Sequence, residues 1–263
     1  MKFHRFSIYL IISLFLSTQY IFSETDYEIE YENLRTSVYN SNIANENDIN
    51  ILYKKTTSLI GTKDKVNNLI EKSKCDYLMG LFYIDIENIP QAITYLQNSM
   101  DLAEESIEIK PTAQGYIALG ESLAQICPIM PTSYLIANGL KVGNIAKKAL
   151  KLDNRLGAAR YLVCSIIAYA PVPFRNFSKA EEIYLEILEK DKIDKEDCFN
   201  TYISLGYIHY QKKEFSEADK WFELAAEIYP HNKFLQSLQS REYQKDDFIT
   251  VDVEPIIDNM MED

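Results

Sequence analysis

The sequence predicts an all-α fold: a right-handed α-solenoid of about four irregular helix hairpins, with extra N-terminal helices and a C-terminal capping helix. A 34-residue pattern of small, aromatic and proline residues spans Phe199 to Asn232, and part of it recurs from Ser73 to Asn98. Elsewhere apolar residues recur at helical spacing, and only 8 of the 263 residues are glycine. Scarce glycine favours helices over loop-rich β architecture.

The first 23 residues have the pattern of a signal peptide. A short basic start precedes an apolar run from Phe6 to Leu16, and Ser23 is a plausible cleavage residue. Polar residues at 17–19 interrupt the run, whereas a transmembrane span needs about 20 apolar residues. We therefore expect a bacterial protein exported to the periplasm or secreted, without membrane insertion after cleavage. An uncleaved anchor is the alternative.

Residues 24–72 are predicted to form N-terminal helices ahead of the repeats. Apolar residues have helical spacing over 26–39, and an asparagine-rich linker follows at 40–47. A second helix is expected over 48–59. A third, from Lys63 to Ile86, runs into the first repeat.

The clearest repeat is Phe199 to Asn232, and its spacing has a physical reason. Gly206 is expected to let two helices cross closely, Ala218 and Ala225 to keep the second helix near the first, and Phe222 to fill the seam. The earlier repeat has the same mutual spacing at Gly80, Tyr83, Ala92 and Leu96.

The remaining repeats are less regular. Gly80 and Gly120 lie 40 residues apart instead of 34, so the second helix of the first repeat is expected to reach Ile109. A third repeat start is expected at Thr112. Further helices are predicted at Ser133 to Leu152, Arg155 to Tyr169, Ser178 to Lys190 and Lys233 to Tyr243, and residues 244–263 read as an acidic flexible tail.

These positions carry a resemblance to a known family. A known helical repeat has the pattern W-x2-L-G-x2-Y, then A-x3-F, a second small residue and a closing proline. At these positions this chain has Tyr202, Leu205, Gly206, His209, Ala218, Phe222, Ala225 and Pro230. The chain thus resembles the tetratricopeptide repeat (TPR) family, in an irregular exported form. The resemblance covers about residues 73–232 of a repeat domain expected at 73–243.

A second resemblance concerns the segment YAPVPF followed by SKAEEIY. It is similar to a pattern in a bacterial group that includes periplasmic TPR partners of TRAP transporters (tripartite, solute-receptor-dependent). That group has Gly-Gly-Asp where this chain has Arg175, Asn176 and Phe177. The resemblance therefore implies the fold but no ligand site.

An enzymatic function is not predicted, because the side chains for catalysis are missing. Beyond the signal peptide the histidines are His209 and His231, and neither has a metal-ligand or triad partner at recognisable spacing. No GxSxG, HExxH, GxGxxG or phosphate-loop motif occurs. His209 occupies an inward repeat position and is predicted to be a packed ring. We predict no catalytic residue, metal site or cofactor.

The net charge of the chain limits the classes of partner that we expect. The formal net charge is −12, and cleavage after Ser23 would remove two basic residues and give −14. Such a surface repels nucleic acid and anionic membranes. Four cysteines, at 75, 127, 164 and 198, show no zinc or disulfide-scaffold spacing. Cys164 reads as a buried small residue, and a disulfide stays open.

The first helices of stacked hairpins line a concave surface, which is where a partner is expected. A surface of tyrosine, aliphatic and amide groups suits a peptide segment or a partner helix. In the frame set by Gly206, the predicted partner-binding residues are Tyr77, Leu81, Ile84, Gln114, Ile117, Glu121, Tyr169, Asn200, Ile203, Tyr207, Tyr210 and Gln211. Because the chain has 19 tyrosines, many of these are alternatively seam fillers.

The sequence therefore predicts a non-catalytic exported scaffold that binds a protein partner, such as an envelope protein or a transporter subunit. Two alternatives stay open. One is a small-molecule-binding accessory of a TRAP-type solute transporter, with a cavity around Cys164 to Phe177. The other is a structural envelope protein that assembles as a homo-oligomer.

Overall fold

A computed structural model describes residues 25–61, 64–169 and 175–241. The predicted signal peptide, residues 170–174 of the proline loop and the acidic tail at 244–263 lie outside these ranges. Within them the fold is all-α, as predicted, and the pairing of Leu156 with Lys192 is an isolated bridge. The described helices are α1 (Asp26–Tyr39), α2 (Glu46–Ser58), α3 (Lys65–Asp85), α4 (Ile89–Ile109), α5 (Ala113–Ile126), α6 (Thr132–Leu152), α7 (Gly157–Tyr169), α8 (Phe177–Lys190), α9 (Lys195–Gln211), α10 (Phe215–Ile228) and α11 (Lys233–Gln239).

Capping residues explain where several helices begin. Helices α1 and α9 each start with a capping box, in which Thr25 pairs with Glu28 and Asp194 pairs with Asp197. Helix α11 ends at Gln239, which is earlier than the predicted end at Tyr243. The physical reason is that Arg241 adopts a left-handed φ of 62°, which a helix cannot contain.

Helices α3 to α10 form four successive antiparallel hairpins, α3–α4, α5–α6, α7–α8 and α9–α10. The predicted glycine seams are present in the first and last. A Cβ placed on Gly206 would lie 2.5 Å from Cδ1 of Phe222, and one on Gly80 would lie 2.6 Å from Cγ of Leu96. Because nothing larger than hydrogen fits there, these glycines set the closeness of each helix pair.

The same two hairpins share a turn that the sequence analysis did not identify. Glu87 and Lys213, each seven positions after the seam glycine, have left-handed φ values of 62° and 65°. In both turns the next amide reaches back to close the helix. Asn88 N–H donates to the Tyr83 carbonyl and Glu214 N–H donates to the His209 carbonyl, at 2.9 Å each.

The N-terminal helices do not simply precede the repeats, because they also contact the last hairpin. The side-chain amide of Asn232 donates to the Tyr39 carbonyl at 2.9 Å, and Asn42 N–H donates to the His231 carbonyl at 3.1 Å. Lys233 Nζ then donates to the Asp85 carbonyl, at the end of α3, at 2.6 Å. The N-terminal helices and the end of α3 are thereby tied to the C-terminal end of the described chain.

Helix α1 contributes to the main hydrophobic core. Leu34 and Val38 are fully buried and lie in one cluster with Leu78 of α3 and Ile203 of α9. Leu235 and Leu238 of α11 are also buried there and cover the last hairpin, as predicted for a capping helix. One core therefore connects both ends of the described chain.

The four cysteines are free thiols in this structure, and three of them are buried. Cys164 is fully buried, as predicted, and its thiol donates to the Ala180 carbonyl at 3.3 Å. No helix among the described residues combines the length and apolar character that a membrane span needs.

The Gly206→Ala variant is expected to lose about 1–3 kcal/mol of unfolding free energy, because its methyl group overlaps the buried Phe222 ring. Denaturant unfolding followed by circular dichroism measures this. Gly61→Ala is the matched control, since no heavy atom lies within 4 Å of its new Cβ, and it should stay within about 0.5 kcal/mol of the parent. Equal stability of the two variants would contradict the close packing of Gly206 against Phe222.

Candidate functional site

A pocket of about 360 Å³ lies on the concave face, between the first helices of the hairpins. Its walls come from the first helices of the four hairpins, from the connection between α8 and α9, and from α1. The lining residues are Tyr31, Arg35, Lys74, Tyr77, Gln114, Ile117, Ala118, Glu121, Leu156, Ala158, Lys192, Ile193, Asp194, Glu196 and Asp197. Among the described residues, no group of three or more His, Cys, Asp or Glu side chains is placed to hold a metal ion.

One wall is built around the guanidinium of Arg35, which is only 4% exposed. Its Nη1 lies 2.6 Å from Oδ2 of Asp194 and 3.3 Å from Oε2 of Glu196, and its Nη2 pairs with Glu32. The Tyr39 hydroxyl donates to the other oxygen of Glu196 at 2.6 Å. We call these residues the Arg35 clasp, since they fasten α1 to α9.

Aromatic rings extend the clasp. The ring of Tyr39 stacks on that of Tyr229 with centroids 4.7 Å apart, and meets the edge of Phe199 at 5.4 Å. Phe199 and Tyr229 also contact each other at 4.9 Å. This buried triad excludes water beside the ion pairs, which strengthens them.

The carboxyls of the pocket titrate abnormally. Burial, followed by the nearby charges of Glu196 and Asp197, raises the pKa of Glu121 well above its ordinary value of 4.5, and Lys74 only partly opposes this. Burial and the charge of Asp194 raise the pKa of Asp197 to about 7. Glu121 makes no hydrogen bond or ion pair with another described residue. Its ionised form is therefore unfavourable in the free protein.

Four of the twelve predicted groove residues line this pocket: Tyr77, Gln114, Ile117 and Glu121. Gln114 is exposed, Ile117 and Glu121 are half-buried, and Tyr77 is buried. The frame taken from Gly206 thus places the side chains of α5 on the concave face. Whether they contact a partner stays a prediction.

The other eight predicted residues lie outside the pocket walls. Ile203 and Tyr207 are buried, and the Tyr207 ring packs on Tyr169 at 5.1 Å and Phe177 at 6.4 Å. Tyr169 is 41% exposed, but its hydroxyl lies 3.0 Å from that of Ser204. The half-buried remainder are Leu81, Ile84, Asn200, Tyr210 and Gln211. Tyr207 therefore fills a seam between helices, which is the alternative role that the sequence analysis gave to many of the tyrosines.

Sequence reasoning missed Arg35, Asp194, Glu196 and Asp197. A local signal for the arginine exists, since Tyr31, Arg35 and Tyr39 follow at intervals of four and share one face of α1. A basic residue between two tyrosines on a helix face that is otherwise apolar indicates a buried acidic partner. The position of that partner, 161 residues later, has no such signal.

His209 is a packed ring, as predicted. It is buried, and its Nδ1 lies 2.6 Å from Oε2 of Glu214 in the following turn. Glu181 lies 2.6 Å from Lys212 Nζ and 3.5 Å from His209 Nε2. These contacts join α8 to α9, away from the pocket.

Comparison with known proteins gives a fold neighbour and no family assignment. No protein-family model matches the sequence, and neither does any curated protein. Among solved structures, the chain is similar to a thermophilic TPR protein of Thermus thermophilus at 16% identity, with a TM-score of 0.46. The match covers 80% of this chain and 97% of that one.

The Arg35→Met variant is expected to lose about 3–5 kcal/mol of unfolding free energy, because Glu196 is left as a buried charge without its cation. Denaturant unfolding at pH 7.5 measures the loss. In the double variant Arg35→Met with Glu196→Gln, at least half of the stability should return. The pair Lys179–Glu182, in which both side chains are more than half exposed, is the control, and Lys179→Met should cost less than about 1 kcal/mol. A similar cost for both single variants would rule out the clasp.

The Glu121→Gln variant is expected to be more stable than the parent at pH 7.5, by about 1 kcal/mol or 2–4 °C in Tm. Since the folded-state pKa of Glu121 is raised, the parent loses stability as pH rises from its ordinary pKa of 4.5 through the folded value. The variant lacks this loss. Thermal unfolding at pH 7.5 and pH 4 measures the difference, which should vanish at pH 4, and a constant difference would refute the assignment.

Proposed function

We propose that the chain is a non-catalytic interaction scaffold that binds a protein partner in the pocket on its concave face. The observation that carries the proposal is the convergence of four hairpins on one pocket whose α5 wall keeps accessible side chains. Gln114, Ile117 and Glu121 there offer an amide, an aliphatic group and a carboxyl. A few polar groups in a partly apolar concavity suit recognition of a short segment.

The surroundings of the pocket favour binding without rearrangement. Tyr77 is buried beneath the pocket, and α1 is held by the Arg35 clasp and by Leu34 in the core. A wall that is already ordered does not lose conformational entropy when a ligand enters. Binding energy is therefore not consumed in ordering the site.

The composition of the walls supports a binding role over a catalytic one. The lining residues include no histidine, serine, threonine or cysteine within the part of the chain that the structure describes. Covalent catalysis by serine, threonine, cysteine or histidine is therefore not supplied by these walls. We assign the carboxyls of the pocket to recognition.

The proposed partner is met outside the cytoplasm. This part of the proposal rests on the signal-peptide pattern of residues 1–23. Cell fractionation followed by N-terminal sequencing tests it, with a mature chain expected to begin at Glu24. The transporter-accessory role stays an alternative, and its cavity around Cys164 to Phe177 includes residues outside the described ranges.

Affinity capture from the native cell envelope tests the scaffold role, with the tagged mature chain as bait. Gln114→Trp, which places a large ring in the pocket wall, is expected to reduce the captured partner at least tenfold. Gln114 is exposed, so the fold should tolerate the change, and an unaltered Tm checks this.

Gln91→Trp is the matched control, because Gln91 is exposed on the outer helix α4. It should capture as much partner as the parent. Equal capture by the parent and Gln114→Trp would refute binding in the pocket. Recovery of the bait alone would refute a stable partner, and recovery of further copies of this chain would instead support the self-assembling alternative.

A further inference from the structure

Helix α6 has a basic face, although the net charge of the chain is −12. Its 21 residues include four lysines and no acidic residue. The four lysines, at positions 141, 147, 148 and 151, are all exposed. They point outward, because the residues that α6 buries lie on its opposite side, and these are Val142, Gly143, Ala146 and Ala149.

These lysines have no carboxylate partner among the described residues. The ammonium groups of Lys147 and Lys151 make no ion pair or hydrogen bond there. Lys141 donates to an asparagine side chain at 2.9 Å, and the Lys148 nitrogen lies 5.7 Å from the centroid of a tyrosine ring. On the outer helix α8, by contrast, two lysines pair with carboxylates at 2.8 and 3.4 Å. The positive charge of α6 is therefore uncompensated in an acidic chain.

Apolar side chains share the outward side of α6. Ile136 is 41% exposed, and Leu140 is half-buried. Ile136, Leu140, Lys147 and Lys151 follow at intervals of four, seven and four residues, which places them on one side of the helix. We call these four residues the α6 outer face. None of them lines the concave pocket, so this face is independent of the proposed partner site.

The chain itself contains a segment of complementary composition. Residues 246–263 include seven acidic and eight apolar residues, with no lysine or arginine. Five of the seven acidic residues follow the apolar pair Phe248 and Ile249. This order, apolar and then charged, is also the order along the α6 outer face from Ile136 to Lys151. We propose that residues 246–263 bind the α6 outer face of the same molecule.

The point where the described chain ends is compatible with this contact. Arg241 lies 2.6 Å from Oδ1 of Asp219 and over the Phe215 ring, 4.9 Å from its centroid. The tail therefore starts beside the turn between α9 and α10. Near that end of α9, Tyr207 packs on Tyr169 at the end of α7. Since α6 runs antiparallel to α7, its Ile136 end lies on the same side of the fold.

The length of the tail is also sufficient. Helix α7 lies between α9 and α6, and because neighbouring helix axes are about 8–10 Å apart, α6 is about 20 Å from α9. The stretch of α6 from Ile136 to Lys151 adds about 22 Å. Residues 242–263 extend to about 70 Å at most. The tail can therefore reach α6 and follow it to Lys151.

Attachment to the same chain favours the tail over a second copy as the occupant. A flexible link gives the tail an effective concentration of about 1 mM at a site within its reach. With an intrinsic Kd of about 0.1 mM, about nine in ten faces are then occupied by their own tail. Another copy at micromolar concentration competes poorly with this. Contacts between exposed opposite charges also weaken as salt is added.

Fluorescence anisotropy with the full mature chain tests the proposal, with a labelled peptide of residues 246–263 as the probe. In the parent, the tail already covers the face, so the peptide should bind weakly. A full-length variant with a neutralised tail, Asp252→Asn with Glu254→Gln and Asp258→Asn, should bind the peptide about tenfold more tightly. Equal binding by the parent and this variant would overturn the proposal.

The lysines are tested in the chain with the neutralised tail. Lys147→Gln with Lys151→Gln is expected to weaken peptide binding about tenfold. Glutamine and lysine have similar helix propensities, so unfolding should not explain the loss, and an unaltered Tm checks this. The matched control is Lys54→Gln with Lys72→Gln, which removes two exposed lysines from α2 and α3 and should leave binding unchanged. Equal effects of the two pairs would overturn the assignment to α6.

A second peptide tests the apolar contribution. It has the same seven acidic residues with serine at the eight apolar positions, and it is expected to bind the neutralised-tail chain at least tenfold more weakly. If both peptides bound equally, the face would attract any polyanion, and specific docking of the tail would be wrong.

Other occupants of the face give distinct results. Self-association of the parent that disappears in the neutralised-tail variant, seen by sedimentation velocity, would place the tail on a second copy. Binding of the parent to vesicles of phosphatidylglycerol and phosphatidylcholine would show that the face is uncovered and contacts lipid. Either result would overturn docking within one molecule. We expect a monomeric parent that does not bind the vesicles.

Discussion

The structure depends on the contact between Arg35 of α1 and the carboxylates at the start of α9. The two sides are 159 and 161 residues apart in the chain, and the guanidinium is almost completely buried. A buried charge is stable only when it is paired and when its hydrogen bonds are satisfied. Tyr39, Asp194, Glu196 and Glu32 meet most of that requirement, so α1 has one defined position against the last hairpin.

This position changes what the concave face can do. In an open solenoid the first helices of the hairpins would present a continuous surface along their length. Here Leu34, Val38 and Tyr39 fill part of that surface from within the chain, and Asn42 and Asn232 join the ends. The accessible concavity is reduced to the central pocket.

The electrostatics of the pocket follow from the same arrangement. Asp194, Glu196 and Asp197 lie together at the start of α9, and Glu121 of α5 lines the same pocket. Although burial opposes it, the charge of Arg35 lowers the pKa of Asp194. Burial raises the pKa of Glu196 and Glu121 above the ordinary value, and that of Asp197 to about 7. Groups whose ionisation is unfavourable in the free protein are typical of binding and catalytic sites.

The sequence by itself determined the helices and the seams, because both depend on residues close in the chain. Gly206 with Phe222, and Gly80 with Leu96, are 16 positions apart, so their spacing alone predicted the hairpins, and the extended α4 ended at Ile109 as expected. The same frame placed Ile117 and Glu121 on the concave face. Only the tertiary structure decided that α1 covers part of that face, that Tyr207 packs against Tyr169 and Phe177, and that Glu121 lines a pocket. Arg35 and Glu196 are 161 residues apart in the chain, and no local sequence pattern indicates that two such distant residues meet.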